Sequence, residues 1–288
     1  GPAPAGLVRV LDEAHYAKDP GARRTQAARA LAAAARRAGG AVWGLTGTPV
    51  LNRPPELWAV LRLLGLERAV WPGGWGEFQR DFRARRDRWG GTVYGTPPAD
   101  LGARLRPVLL RRARAAVLPE LPAKTWRDVP VDLPTRGEAR RLADAAVAAL
   151  AAEGIRLEEA TDLARATRLR GAAFEALSAA RAALAAAKTA AALELVEDLE
   201  AAGEPVVAFS AHRGPVAALA AREGWAAITG DVASEERTRL VAEFQAGRLR
   251  GLACTIAAAG VGITLTAAAH AVFVDLDWTP ARNAQAED

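Results

Sequence analysis

A single cysteine, Cys254, in 288 residues excludes a disulfide framework and a cysteine-rich zinc site, and the thiol reads as a small buried apolar residue. Methionine is absent, even at the first position, where Gly1 stands. The chain is therefore expected to be a piece of a longer protein or a processed form, whose start reveals no targeting segment. Lysine is nearly missing: Lys18, Lys124 and Lys188 are three of the 38 basic residues, and the rest are arginine. Arginine suits phosphate, but high Arg and Ala also follow from a GC-rich genome, so the net charge of +5 weighs little. Long hydrophobic runs are lacking too. Arg, Glu and Lys interrupt the alanine-rich stretches, and none approaches the roughly 20 residues that cross a bilayer, so a protein in solution is expected.

What is present is enough apolar sequence for a sizeable core, 51% of the residues against 25% charged, and a length suited to two lobes of roughly 100 to 150 residues. Leu7, Val8, Val10 and Leu11 form a buried-strand pattern ending at Asp12. Asp19 and Pro20 read as N-cap and first residue of a helix that stops at Gly39 and Gly40. Ala41 to Leu45 reads as a second strand. Pro54 and Pro55 open a helix whose Leu57, Val60, Leu61 and Leu64 share one face, with Gly65 as its stop. Strand, helix, strand, helix predicts a parallel α/β sheet. Trp71 to Leu118 changes to short elements, and Trp71, Trp75 and Trp89 read as packing of an insertion rather than base-stacking platforms. Arg136 to Gly203 predicts two or three alanine-rich structural helices. The α/β rhythm then returns, with strands at Val206 to Phe209, Ala226 to Ile228, Leu252 to Cys254 and Ala271 to Val274, and helices starting near Pro215 and Ser234. The pivot between the lobes is placed near Pro122 to Pro134.

In parallel sheets ligands sit at the carboxyl ends of the strands, so the residues just after each strand matter most. Asp12 and Glu13 leave the first strand together. Such a pair can hold Mg²⁺ through its water shell while the neighbour orients or deprotonates an attacking water. Two adjacent acids alone favour a surface turn; context reverses that.

The context is Asp12, Glu13, Ala14, His15 with Lys18, followed by Leu45, Thr46, Gly47, Thr48, Pro49. Here the sequence resembles the Swi/Snf (Snf-two) family of helicase-like ATPases, in helicase superfamily two. The resemblance runs on through Asn52 with Pro55, Glu56 and Leu57, then Leu110 to Arg112 with Leu121, Pro122 and Lys124. It continues in the VAFSAH string Val207 to His212, in Thr229, Gly230 and Asp231 with Ser234, Arg237 and Phe244, in Thr255 to Thr266, and in Asp275 to Pro280 leading to Gln285. The phrasing at LNRPPEL, the Trp89 to Leu101 insertion and Thr255 with Ile256 look closest to the annealing-helicase, fork-remodelling branch.

The resemblance implies an α/β fold of two RecA-like parallel-sheet lobes, the first incomplete, with helical insertions. Residues 1–124 would be the later part of the first lobe, with an insertion at about 66–118, and residues 125–288 the second lobe, with a helical protrusion at about 135–200. It implies ATP and Mg²⁺ as cofactors, double-stranded or branched DNA as partner, no membrane, and a monomer. The setting would be cytoplasmic and nucleoid-associated in a bacterium, nuclear in a eukaryote. Asp12 would be the metal ligand and Glu13 the residue activating water, with His15 linking that pair to the facing lobe. Gly262 and Gln285 would face the nucleotide. Thr46, Gly47, Ser210, His212, Gly230, Arg237, Thr255 and Thr264 would line the DNA groove, although for Ser234 an N-cap reading and for Arg237 a solvated-face reading compete. The family's Gly-Lys-Thr phosphate loop is not in these residues, and the chain stops one residue before the arginines of the sixth motif. The piece alone is therefore expected not to turn over ATP. An RNA-directed DEAH-type helicase and a non-catalytic DNA-binding scaffold remain as alternatives.

Overall fold

The computed structural model describes residues 8–50, 53–87, 90–112, 114–133, 136–157, 160, 171–259 and 263–287. Leu7, Asn52, Trp89 and Gly262 lie outside the described residues. The chain forms two compact units, 1–127 and 128–288, where the sequence reading divides at 124/125.

In the first unit, β1 (Val8–Leu11) and β2 (Ala41–Gly44) pair in parallel, with Val8 opposite Ala41 and Leu11 opposite Gly44. α1 (Arg23–Arg37) crosses between them. It starts later than the sequence suggests. The Asp19 carboxylate accepts from the Gly21 amide and the Asp19 carbonyl from Ala22, closing a turn that uses up the capping group before the helix begins. α1 ends at Gly39, whose positive φ of 74° suits glycine. α2 (Pro54–Leu64) has its prolines in the first turn, where no amide partner is needed, and ends on Gly65 at φ 73°. α3 (Glu67–Val70), α4 (Trp75–Asp81), the antiparallel pair β3 (Arg85–Arg86) and β4 (Thr92–Val93), α5 (Leu101–Leu105) and α6 (Arg114–Val117) follow.

Trp71, Phe78 and Phe82 from this insertion pack onto Leu57, Trp58 and Leu61 of α2. Trp71 is fully buried, and its indole N–H donates to Asp81 at 2.9 Å, so burial leaves no polar group unpaired. Trp75 is more exposed and stacks on Phe78 at 4.9 Å. One face of the β1–β2 pair is uncovered: Val8, Val10, Trp43 and Leu45 are all exposed.

In the second unit, α7 (Arg136–Ala152) and α8 (Gly171–Ala201) precede the sheet. β5 (Val206–Ser210), α9 (Arg213–Ala220), β6 (Trp225–Ile228), α10 (Ser234–Gln245), β7 (Gly251–Thr255), α11 (Ile256–Ala259), β8 (His270–Phe273) and α12 (Pro280–Glu287) complete it. The strands run parallel in the order β6-β7-β5-β8. β5 and β7 are buried along their whole length, which is why both read as unbroken apolar runs rather than alternating ones. Ala233 occupies the N-cap of α10 with no side-chain cap, so Ser234 is the first helical residue and its N-cap reading is corrected. Gly251 lies under the Trp225 indole: a Cβ there would stand 2.2 Å from the ring, a distance only glycine permits. The Trp225 indole N–H donates to Glu200 at 2.7 Å, fixing the ring in that position.

Candidate functional site

The two strand exits of the first unit are stitched together by backbone. The Leu45 amide donates to the Leu11 carbonyl and the Ala14 amide to the Leu45 carbonyl, both at 2.9 Å. The chain can turn this sharply after β1 because Glu13 adopts a left-handed conformation, φ 48° and ψ 47°, as the N-cap of a single 3₁₀ turn, Ala14–Ala17. A non-glycine residue held there is strained, and such strain gathers where a side chain must be aimed. Gly44 allows the close approach of β2 and this turn: a Cβ would meet Leu64 at 3.1 Å and Ala14 at 3.2 Å.

His15 is the hub. Its side chain is 2% exposed, and Nδ1 lies 2.9 Å from the Thr46 hydroxyl and 3.1 Å from a Glu13 carboxylate oxygen. Nδ1 hydrogen-bonds the Thr46 hydroxyl, in a direction set by the tautomer, while the buried Glu13 oxygen beside it has no hydrogen-bond partner among the described residues. Burial lowers the pKa of His15, with Lys18 adding to this and Glu13 and Glu56 opposing it. Burial thus favours the neutral imidazole. Thr46 in turn accepts the Thr48 amide at 3.1 Å, closing the Thr-Gly-Thr turn. Lys18 pairs with Glu56 of α2 at 3.4 Å. The structure therefore ties His15 to the loop after the neighbouring strand within its own unit, whereas the sequence reading had it reach the facing lobe. Asp12 is exposed, and one of its oxygens accepts the Glu13 amide at 2.9 Å. Gly47 is exposed with open space around its Cα.

The carboxyl edge of the second sheet holds a network that sequence reasoning missed. Asp275, just beyond β8, accepts from the Ser210 hydroxyl, from the Ala211 amide at 3.2 Å and from His212 Nδ1 at 2.7 Å. The Ser210 oxygen also accepts the His212 amide at 2.9 Å. Ser210 is wholly enclosed, and its hydroxyl is spent inside the protein, which removes it from the DNA-facing candidates. His212 is partly exposed. Asp277, two residues on, ties the following turn by accepting the Thr279 amide, while its own amide donates to Asn283, each at 2.8 Å.

Arg181 of α8 reaches the same loop. It donates to the Leu276 carbonyl and lies 3.7 Å over the Trp278 ring. Burial lowers its pKa against the opposing pull of Asp275 and Asp277. The signals for this cluster were a Ser and a His after one strand and an Asp after another, separated by more than 60 residues.

The remaining candidates are spread along the same edge. Gly230 and Thr264 are exposed, and Thr255 is 9% exposed at the end of β7. Arg237 is partly buried on α10, with its Nε unpaired, near Cys254, whose thiol is pushed up to about 12 by burial against the opposing charge of Arg237. Gln285 is partly buried on α12. Gly262 lies outside the described residues. Among the described residues there is no group of three or more His, Cys, Asp or Glu side chains that could hold a metal ion. No described helix is long and apolar enough to cross a membrane.

Residues 7–138 match the SNF2-related domain and residues 187–288 the helicase conserved C-terminal domain. The DNA annealing helicase and endonuclease ZRANB3 of Mus musculus is 30% identical over 298 residues, spanning 98% of this chain and 26% of its own. The SWI/SNF-related matrix-associated actin-dependent regulator of chromatin subfamily A-like protein 1 of Xenopus tropicalis is 30% identical over 301 residues, 98% of this chain and 29% of its own. The chain thus spans between a quarter and a third of these relatives. Among solved structures, the Sulfolobus solfataricus SWI2/SNF2 ATPase core in complex with dsDNA aligns over 93% of this chain and 57% of its own, with a TM-score of 0.38 and 18% identity.

Proposed function

The chain belongs to the SNF2 family of helicase superfamily two, and from that premise we propose that it is the greater part of an ATP-dependent motor that moves on double-stranded DNA. The observation that carries this reading is the junction at the first sheet's exits, where an acidic pair follows β1 and His15 binds it to the Thr-Gly-Thr loop after β2. The Asp12–His15 tetrapeptide would be the SNF2-type second motif rather than the mark of a DEAH-box protein. A DEAH-type RNA helicase is not favoured, because the segment that contains it matches the SNF2-related domain.

Units 1–127 and 128–288 would be the two RecA-like halves of the motor, the first carrying the insertion and the second the α7–α8 protrusion. Glu13 would accept a proton from the attacking water. His15, with Nδ1 3.1 Å from a Glu13 carboxylate oxygen, would pack against that side chain in its strained turn. Asp12 would hold Mg²⁺, since its carboxylate is exposed and one oxygen has no local donor to satisfy; the ion, when bound, screens the charge of the phosphates. One imidazole nitrogen lies beside both Glu13 and Thr46, and this proximity supports a role for that loop in signalling to DNA. Gly47, Gly230, Arg237, Thr255, Thr264 and the partly exposed His212 are the candidate backbone-facing contacts. Duplex tracking needs such sequence-blind donors rather than base readers. Gln285 would face the nucleotide. The likeness to ZRANB3, a DNA annealing helicase and endonuclease, supports branched DNA as the substrate and genome maintenance as the setting, which in a eukaryote would be the nucleus and in a bacterium the nucleoid.

The test is phosphate release by the intact protein with and without duplex DNA. Glu13→Gln is expected to lower the DNA-stimulated rate by about 10²-fold or more, the usual contribution of a positioned base. Equal rates in the two proteins refute the catalytic assignment, and stimulation by RNA in preference to duplex DNA refutes the substrate.

A further inference from the structure

We propose that a hollow between α1 and α2 in the first unit is a second DNA contact, one that takes phosphodiester backbone away from the strand-exit loops. The proposal rests on the DNA-motor reading for the kind of ligand, but on separate residues for the site. The hollow encloses about 330 Å³ and is lined by Gln26, Arg29, Ala30, Ala33, Arg36 and Arg62.

The spacing on α1 explains its shape. Residues 26, 29, 30, 33 and 36 recur at three- and four-residue intervals and share one face of the helix. The two alanines make a shallow floor, and Arg29 and Arg36 stand two turns apart, about 10 Å along the axis. Arg36 is fixed rather than free: its Nη1 donates to the Leu63 carbonyl at 3.1 Å, and its guanidinium packs where a Cβ on Gly65 would stand 3.0 Å away. Arg62, in the last turn of α2, closes the third side.

No described carboxylate forms an ion pair with Arg29, Arg36 or Arg62, and α1 itself, RRTQAARALAAAARR, contains no acid. Elsewhere in the same chain comparable arginines are neutralised: Arg104 by Asp81 and Asp100, Arg222 by Glu197 and Glu200, Arg239 by Glu236 and Glu243. Three cations converging on one hollow repel one another until an anion joins them.

The lining indicates which anion. It offers guanidinium forks, one neutral amide and no apolar side chain larger than alanine. A docked peptide needs apolar anchors for its affinity, whereas a phosphodiester chain needs only charge and hydrogen bonds, and pairs with guanidinium in two-toothed fashion. The position follows from topology. α1 and α2 each run back from a strand exit, so the later part of α1 and the last turn of α2 lie toward the end where β1 and β2 begin. The hollow runs from Gln26, in the first turn of α1, to Arg36 and Arg62 near the ends of the two helices, and none of its lining residues belongs to the strand-exit loops. A second duplex segment, such as another arm of a branched substrate, fits the site.

The experiment is duplex binding by the 288-residue chain, followed by fluorescence anisotropy between 50 and 200 mM salt. The Arg29→Ala/Arg62→Ala double variant leaves Arg36 in place as the support of the last turn of α2. Its plot of log affinity against log salt is expected to be shallower by about 1.8, so that the unaltered chain loses about 12-fold more affinity over that range. Arg23→Ala/Arg37→Ala removes the same charge from α1 outside the hollow, and is expected to shift the slope by less than half as much. Unchanged slope in the first variant, or equal shifts in both, overturns the proposal while leaving the motor reading intact. Absence of any duplex binding by the unaltered chain overturns both. A polyglutamate peptide that distinguishes the first variant from the unaltered chain, where DNA does not, also overturns it by making the hollow a protein-docking site. Far-UV circular dichroism of both variants is expected to match that of the unaltered chain, since neither Arg29 nor Arg62 has a described partner to lose.

Discussion

Replacing Asp275 by alanine puts the network at the second sheet's edge to its hardest test. Three donors converge on this carboxylate: the Ser210 hydroxyl, the Ala211 amide and His212 Nδ1. They are not equally placed to find substitutes. Ser210 is fully buried and has no water to turn to, so its orphaned hydroxyl carries the full desolvation penalty of about 1–3 kcal/mol. The His212 side chain is 25% exposed and can exchange Asp275 for solvent, so it and the Ala211 amide together lose about 1–2 kcal/mol. The sum is about 2–5 kcal/mol, a large share of the stability of an ordinary domain. Asp275→Asn keeps an oxygen for Ser210 and Ala211 but turns a donor toward His212, forcing the other tautomer, and should cost about 1–2 kcal/mol. In urea, with a slope of about 2 kcal/mol per molar, the midpoint falls by about 1–2.5 M for alanine and about 0.5–1 M for asparagine. Hydrogen exchange read on peptides covering 206–210 and 270–273 confines the measurement to this unit, with peptides covering 8–11 and 41–44 as the internal control. If alanine costs less than 1 kcal/mol, or if the two substitutions cost the same, the three bonds are not what holds β5 to β8 at that edge.

Acid should weaken the first unit through His15. Its folded pKa lies below the ordinary 6.5, so the unfolded chain binds the extra proton first. The stability it contributes is whole above pH 6.5 and is lost as pH falls through the lowered folded value. The urea midpoint for 8–44 should drop from pH 7.5 to 5, and His15→Gln should flatten that slope; parallel slopes would show that other groups cause it. Gly251→Ala drives a methyl into the Trp225 ring, which Glu200 holds in place. Strand β7 or the indole must shift, and a loss of about 2–3 kcal/mol in thermal or urea unfolding is expected, while a neutral result would mean that the ring is free to move.

Much of the architecture was written in local pattern. The apolar runs of β5 and β7, the glycines after α1 and α2, and the shared face of Leu57, Val60, Leu61 and Leu64 each announce an element within a dozen residues. Helix starts were less legible. Asp19 and Ser234 both carry a capping group, but one spends it on its own turn at Gly21 and the other stands a residue too late, and only tertiary context decides between those uses. At the candidate site the sequence pointed to Asp12, Glu13 and His15 as neighbours in the chain, and to Thr46 as a residue after the next strand. It could not say that one imidazole nitrogen would face both Glu13 and Thr46. Ser210 was misread for a related reason: its place after a strand suggested access to a ligand, while the Asp275 that encloses it lies 65 residues away.

That separation bears on how the second unit is assembled. β5 can recruit β7 and β6 as soon as residue 255 is available, yet the hydroxyl at its tip has no acceptor until the chain has been made as far as Asp275. Without β8 these three strands would carry one raw flank and one dangling polar group. Arrival of β8 cures both defects in a single step, since the strand that covers the flank also delivers the carboxylate. β8 acts as a latch, and a chain cut between residues 255 and 270 would leave β5 without its neighbour and Ser210 without Asp275.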